Sequence, residues 1–379
     1  MTRVLSLSVS KGLQDLLLAL ILLWLARTDQ PGYGLFVFGI GVASVVRGGV
    51  ALGLDQYALR EFSQAEQPRG PLLNQMARLK SALGFIILCG LVLFALLKGW
   101  SSRQTVVVMI ILTGQIMEGV ADTFFNLYRA EGRQVREGLY RTGTNLIGVA
   151  YGTICLLTGL GIVALAFFLI ISNGLKLVLA ATGVVRLGLA SEWFRTRSLL
   201  PAAQVPAVLT VAGVSGLGSF YNYIQVFFLK QFHDLKTVAF YGAAADFSGF
   251  IAGFVTLITI GAVLFPALAT TAVRNPEELP GRVHAYFWQL LTHGTGVAFF
   301  LATLGGWILV MVYGPKYGAS VAPLRILGPA TLLSFLNNFG VYVLLALRQE
   351  KRLFLYHLFP ASLSLVLGMV LIPYWGATG

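Results

Sequence analysis

A charged side chain set deep in an apolar run is stable only against a partner or a wet cavity, and this sequence holds several. Arg47 lies about 21 Å along a helix that opens at Tyr33, at about 1.5 Å per residue, too deep to reach either surface easily. A guanidinium grips phosphate oxygens in a two-pronged fashion, so Arg47 is a candidate cavity residue for a phosphorylated ligand. The alternative is a buried ion pair with Asp15 or Glu118. Lys11 and Asp15 stand four apart and share a helix face. Lys11 either snorkels to the cytoplasmic surface or joins Arg47 in binding substrate. Asp15 sits deeper, where it could pair with Arg47 or hold a proton or sodium ion. Asp246 lies in an apolar run with no other charge. It reads as a coupling-ion ligand or proton carrier, or as a hydrogen-bond partner of Asn222, Tyr223 or Gln225. Glu118 and Asp122, four apart near a helix end, and Asp55, Arg60 and Glu61 read as a cytoplasmic gate or ion-pair network. Arg325 is a further substrate-binding candidate, with snorkelling as its alternative. Asn338, beside Asn337, could bond sugar hydroxyls or a neighbouring helix.

Other chemistry is not encoded. The histidines His233, His284, His293 and His357 are scattered and lack metal-ligand spacing. Cys89 and Cys155 sit inside apolar runs as small core residues. There is no phosphate loop of the GxxxxGK[ST] type, no Ser-His-Asp order and no paired acidic motif. The chain is therefore expected to be no enzyme, to take no metal or cofactor, and to draw on at most a proton or sodium gradient.

The elements that must position these residues follow from composition. Of 379 residues, 57% are hydrophobic and only 11% charged, with a mean hydropathy of +0.79. That is too little charge to cover a water-soluble domain, so the apolar faces must meet lipid. Lys and Arg outnumber Asp and Glu by 27 to 15. Without a basic recognition helix or zinc-finger spacing, this surplus points to anionic lipid rather than nucleic acid. Met1 to Leu25 begins like a signal peptide but lacks a small-residue cleavage site, and it reads as the first span.

Runs of about 20 apolar residues mark spans. They place helices at 4–26, 33–56, 81–98, 104–127, 138–158, 161–181, 204–230, 237–265, 285–313, 318–347 and 353–373. Thr142 to Leu175 is uncharged and too long for one span, and Thr158-Gly159-Leu160-Gly161 divides it. With the N-terminus in the cytoplasm, seventeen basic residues fall on the cytoplasmic side. Six fall on the other: Arg27, Lys98, Arg103, Lys230, Lys236 and Lys316. This asymmetry fits the positive-inside rule and puts the C-terminus outside. The longest connections, Glu61–Lys80 and Arg186–Val205, are too short to hold a soluble domain. The expected fold is all-α: a polytopic membrane helix bundle of about eleven transmembrane helices.

Two short loops, Arg27–Gly32 and Gln231–Lys236, lead into Tyr33-Gly34-Leu35-Phe36 and Ala239-Phe240-Tyr241-Gly242. This faint repeat divides the chain into an N-terminal lobe, 1–200, and a C-terminal lobe, 201–379, as in transporters of parallel halves.

The second helix opens at Tyr33-Gly34-Leu35-Phe36 and closes at Gly53-Leu54-Asp55-Gln56-Tyr57-Ala58-Leu59-Arg60-Glu61. Further on come Phe124 to Arg133, Val238 to Ala244, Pro323-Leu324-Arg325-Ile326-Leu327 and Ile372 to Gly379. Together, in this order, these segments resemble the polysaccharide-biosynthesis flippases. These are the O-antigen-type lipid-linked oligosaccharide translocators of the multidrug and oligosaccharidyl-lipid exporter superfamily. The resemblance implies two pseudo-symmetric lobes around a central cavity. It also implies alternating-access movement of a polyprenyl-pyrophosphate-linked oligosaccharide to the outer leaflet of a bacterial inner membrane, beside a polysaccharide polymerase and a chain-length regulator. The alternatives are a cation-coupled multidrug exporter of the same superfamily and a non-enzymatic partner in a polysaccharide assembly complex. The family usually continues into a twelfth helix, whereas the chain ends at Gly379, so the second lobe is expected to be incomplete relative to the family.

Overall fold

The computed structural model describes residues 2–51, 54–55, 62, 69–186, 205–256, 268, 271, 276–347 and 350–379. Arg60 and Glu61 lie outside the described residues, as do the side chains of Lys11 and Asp15. Eleven long helices run through the described residues. They are α1 (Thr2–Thr28), α2 (Gln30–Ala51), α3 (Arg69–Leu97), α4 (Ser102–Ala130), α5 (Gln134–Thr158), α6 (Gly161–Arg186), α7 (Val205–Phe232), α8 (Leu235–Thr256), α9 (Leu279–Tyr313), α10 (Val321–Ala346) and α11 (Glu350–Trp375). Among the described residues, seven segments are long and apolar enough to cross a bilayer; they overlap α2, α3, α4, α6, α9, α10 and α11. Large apolar side chains stay bare along several helices, among them Phe85, Leu97, Leu139, Phe299 and Phe359. These are lipid-facing positions, and the chain is a multi-pass α-helical membrane protein.

Local chemistry sets several helix ends. At the start of α4, the Ser101 hydroxyl accepts from the Gln104 backbone while the Gln104 side chain accepts from the Ser101 backbone. The expected break between α5 and α6 is real: Gly159 and Gly161 adopt φ of +67° and +82°, which L side chains resist. Helix α9 contains a π turn at Leu301–Gly305 and stops at Gly314, followed by Pro315. Asp234 caps α8, accepting from the Thr237 backbone N–H at 2.8 Å. That hydrogen bond holds its carboxyl below the usual carboxylate range. The cap is therefore complete above about pH 4 and is lost as pH falls through the lowered value. Asp234→Ala is expected to cost about 0.5–2 kcal/mol, read as a lower melting temperature at neutral pH.

One boundary departs from expectation. Helix α3 begins at Arg69, not near residue 81. Lys80, assigned from its charge to a cytoplasmic loop, is fully buried. Its ammonium donates to Asp55 Oδ1 at 2.6 Å and to the Gly119 carbonyl at 2.9 Å. A paired charge can sit inside a bundle, so the helix continues through it.

The described chain divides into two compact units. Unit 1 is Met1–Leu25 with Leu35–Phe227; unit 2 is Ala26–Gly34 with Phe228–Gly379. The two units divide within α7, and the corner between α1 and α2 falls in unit 2. In unit 1, α4 packs most heavily on α6, and α3 and α5 add to the core. Phe124, Phe125 and Tyr128 of α4 meet Leu73 and Met76 of α3 and Ala180 and Val184 of α6. Small residues let these helices approach. A Cβ on Gly114 would lie 2.9 Å from Leu169, and one on Gly148 would lie 2.8 Å from Ser172.

In unit 2, α9 packs on α10 and α8 on α10. The α1–α2 corner is tied in by the Tyr317 hydroxyl, which donates to the Ala26 carbonyl at 3.0 Å. Gly34 explains part of the Tyr-Gly pattern. A Cβ there would collide with the Leu235 carbonyl oxygen, which is backbone and cannot swing away. Gly34→Ala is expected to destabilise the protein by about 1–3 kcal/mol. A melting temperature unchanged from wild type would show that α2 and α8 can separate freely there.

Candidate functional site: a buried charge network

The richest chemistry in unit 1 is a stripe on α4. Glu118, Asp122, Asn126 and Arg129 recur at helical spacing, so one face carries all four. Neighbouring helices supply the partners. From α2, the Arg47 guanidinium donates to Glu118 Oε2 at 3.1 Å, to Asp122 Oδ2 at 2.7 Å and to Gln115 Oε1 at 3.3 Å. From α6, the fully buried Lys176 donates to Glu118 Oε1 and Asn173 Oδ1, each at 3.0 Å. From α5, Arg141 bonds Asp122 and also Glu137 Oε1 at 2.9 Å, and its guanidinium lies 4.6 Å from the centre of the Phe125 ring. Arg129 closes on Glu137 at 2.6 Å and 2.9 Å and reaches Asn126 Oδ1 at 3.0 Å. The Asn126 amide in turn donates to Asp55 Oδ1 at 2.9 Å, and Asp55 holds Lys80.

These contacts join one network through unit 1. It contains five cations (Arg47, Lys80, Arg129, Arg141, Lys176) and four carboxylates (Asp55, Glu118, Asp122, Glu137). Each charge has at least one partner of opposite sign, which is what makes burial tolerable. Exposure is uneven. Lys80, Lys176 and Glu137 are closed off, whereas the Arg47 side chain is 37% exposed. Arg47 therefore combines a partly accessible guanidinium with a surplus of positive charge behind it.

The candidates from the sequence are thus sorted by the structure. Arg47, Glu118 and Asp122, read as a cavity residue and a separate gate, belong to one cluster, and the pairing with Glu118 is the one considered as the alternative for Arg47. Asp55 sits in the same network through Lys80 and Asn126. Sequence reasoning passed over Lys176, Lys80, Arg129, Glu137 and Arg141. Lys176 was visible as the one charge inside the apolar α6 ahead of Arg186 at its end, and Glu137 and Arg141 as a pair four apart. Their partners were not visible, because ion pairing across helices leaves no spacing in the chain.

Asp246 stands in unit 2. It accepts a 2.6 Å hydrogen bond from the hydroxyl of Tyr33, itself fully buried against Tyr313 and Tyr317. In unit 1, the Asn222 and Gln225 amides donate to carbonyls of their own helix, at Gly218 and Tyr221. No cation of the described residues pairs with Asp246, and the residue remains exposed. Arg325 and Asn338 of α10 are exposed in unit 2. Among the described residues there is no grouping of His, Cys, Asp and Glu that could hold a metal ion.

Comparison with known proteins gives the family and the fold of the chain. The profile of a family described as "Polysaccharide biosynthesis protein" matches residues 2–272. Curated protein sequences return no match. Among solved structures, the chain is similar to an inward-facing multidrug-resistance MATE-family transporter of the MOP superfamily. The TM-score is 0.70 and the identity 14%, over 96% of this chain and 89% of that one. An outward-facing transporter of the same description gives 0.67 and 16%, over 99% and 88%. A MOP-superfamily transporter from Pyrococcus furiosus gives 0.63 and 13%, over 99% and 90%. These identities speak for the fold, and the profile speaks for the family: the chain belongs to the polysaccharide biosynthesis protein family and carries the fold of the MOP-superfamily transporters.

Proposed function

We propose that the protein is a flippase that moves a polyprenyl-pyrophosphate-linked oligosaccharide from the cytoplasmic to the outer leaflet by alternating access. It would serve surface polysaccharide synthesis in a bacterial inner membrane, with its N-terminus in the cytoplasm and a polymerase and chain-length regulator as partners. The carrying observation is the partly exposed Arg47 on a network that, among the described residues, holds one more cation than carboxylates. A pyrophosphate cannot enter hydrocarbon without losing its hydration, which costs many kcal/mol. A guanidinium already held in a bundle offsets that loss, because its own desolvation has been met by folding. A pyrophosphate oxygen could take the place of the Glu118 or Asp122 oxygens on Arg47, while Lys176 and Arg141 keep those carboxylates paired. Family membership supports the glycan part of the reading.

The test is genetic rescue. A strain lacking its own oligosaccharide-lipid flippase, supplied with this chain, is expected to regain surface polysaccharide. Stable insertion without rescue, across strains that make different glycans, would overturn the reading.

Asp246 favours a second reading. An accessible carboxylate bonded to a tyrosine hydroxyl, with no paired cation among the described residues, suits a proton or sodium ion. A cation-coupled exporter would use it so. Drug resistance conferred by the chain and lost in Asp246→Asn would favour that function over the flippase.

A further inference from the structure

A second feature of unit 2 is independent of both readings. Where α1 and α9 end, Arg27, Lys316 and the last turns of α9 line a cavity of about 690 Å³. The Arg27 guanidinium donates Nε–H to the Val312 carbonyl at 2.7 Å and an Nη2–H to the Met311 carbonyl at 3.0 Å, offsetting the negative pole of the helix end. Lys316 Nζ donates to the Arg27 carbonyl at 2.8 Å and stands 5.9 Å from the centre of the Tyr317 ring. Both cations retain N–H donors beyond these bonds. Neither forms an ion pair with a carboxylate of the described residues, so two positive charges meet in one cavity unneutralised. From the cavity an apolar stripe runs back along α9. Leu304, Trp307 and Met311 are 59%, 72% and 59% exposed and share one helix face. A tryptophan about two turns from a helix end is where the headgroup region of a bilayer lies.

From this we infer that the α9 end is a binding site for one anionic phospholipid. Its phosphate would bond Arg27 and Lys316, and its acyl chains would lie along Leu304, Trp307 and Met311. Charge selects the class. The cavity lining contains no carboxylate to receive a choline or ethanolamine cation, so a zwitterionic lipid leaves its ammonium unpaired. The exposed stripe selects a lipid over a free anion. By the charge asymmetry of the loops this end faces outward, on the side with few basic residues. A convergent pair there is a local site rather than part of a general cationic surface.

Native mass spectrometry of the full chain in detergent, titrated with phosphatidylglycerol or phosphatidylcholine, tests the site. Wild type is expected to retain phosphatidylglycerol preferentially. Lys316→Gln should weaken it about fivefold, and Arg27→Gln with Lys316→Gln about 25-fold, at roughly a factor of five for each surface charge. Lys316→Gln leaves the Arg27 cap on α9 intact, so its effect reports on the lipid even if the double variant unfolds. Equal retention of the two lipids would overturn the inference, as would an unaltered affinity in folded Lys316→Gln. Displacement of phosphatidylglycerol by millimolar inorganic phosphate would also overturn it, by showing a free-anion site.

Discussion

Arg47→Ala is expected to reduce flippase rescue by about two orders of magnitude or more while leaving the protein in the membrane. Losing one side of a desolvated, hydrogen-bonded charge contact costs about 2–5 kcal/mol, and every 1.4 kcal/mol is about tenfold. Insertion should survive, because the carboxylates that Arg47 touches are not stranded. Glu118 keeps Lys176 at 3.0 Å and Arg141 at 3.8 Å, and Asp122 keeps Arg141. Arg47→Lys separates charge from shape. It preserves the cation but loses the planar fork, so it should fall between wild type and alanine. Surface polysaccharide and membrane abundance, measured together across the three proteins, decide the matter. Full activity in Arg47→Ala at normal abundance would leave Arg47 a purely structural ion pair.

The second large effect is on stability. Asp55→Ala should lower the folding free energy by about 3–5 kcal/mol, because it strands the Lys80 ammonium in a closed site with the Gly119 carbonyl as its remaining hydrogen-bond partner. Combining Asp55→Ala with Lys80→Met removes the stranded charge and should recover most of the loss. Melting temperatures of the two variants in detergent provide the measurement. If Asp55→Ala instead melts like wild type and loses transport, Asp55 is a moving gate residue, as its place at the exit of α2 first suggested, and not a pin between α2 and α3.

Asp55 and Lys80 also mark where sequence reasoning stops. A lysine among several basic residues ahead of an apolar run is a loop residue by every local rule. It is helical here because a carboxylate far away in the chain offsets its charge. Glu118 and Asp122 present the same problem from the other side. Their spacing of four put them on one face of α4, but it could not say that Arg47, Arg141 and Lys176 would reach that face from three other helices. Asp246 is harder still, since its partner, Tyr33, lies 213 residues earlier in the chain and carries no charge to betray the pairing.

What the sequence alone determined was the membrane class, the all-α fold, the long helices of the described residues and the Gly159–Gly161 break between α5 and α6. These rest on local quantities: the length of apolar runs, the cost of unpaired backbone groups in lipid, and the positive φ that glycine permits. Only the tertiary structure decided which charges neutralise which, where α3 begins, and that the corner of α1 and α2 belongs with unit 2. Those depend on pairing between residues far apart in the chain. An apolar pattern places a helix in the bilayer, but it is blind to which face of which neighbour that helix will meet.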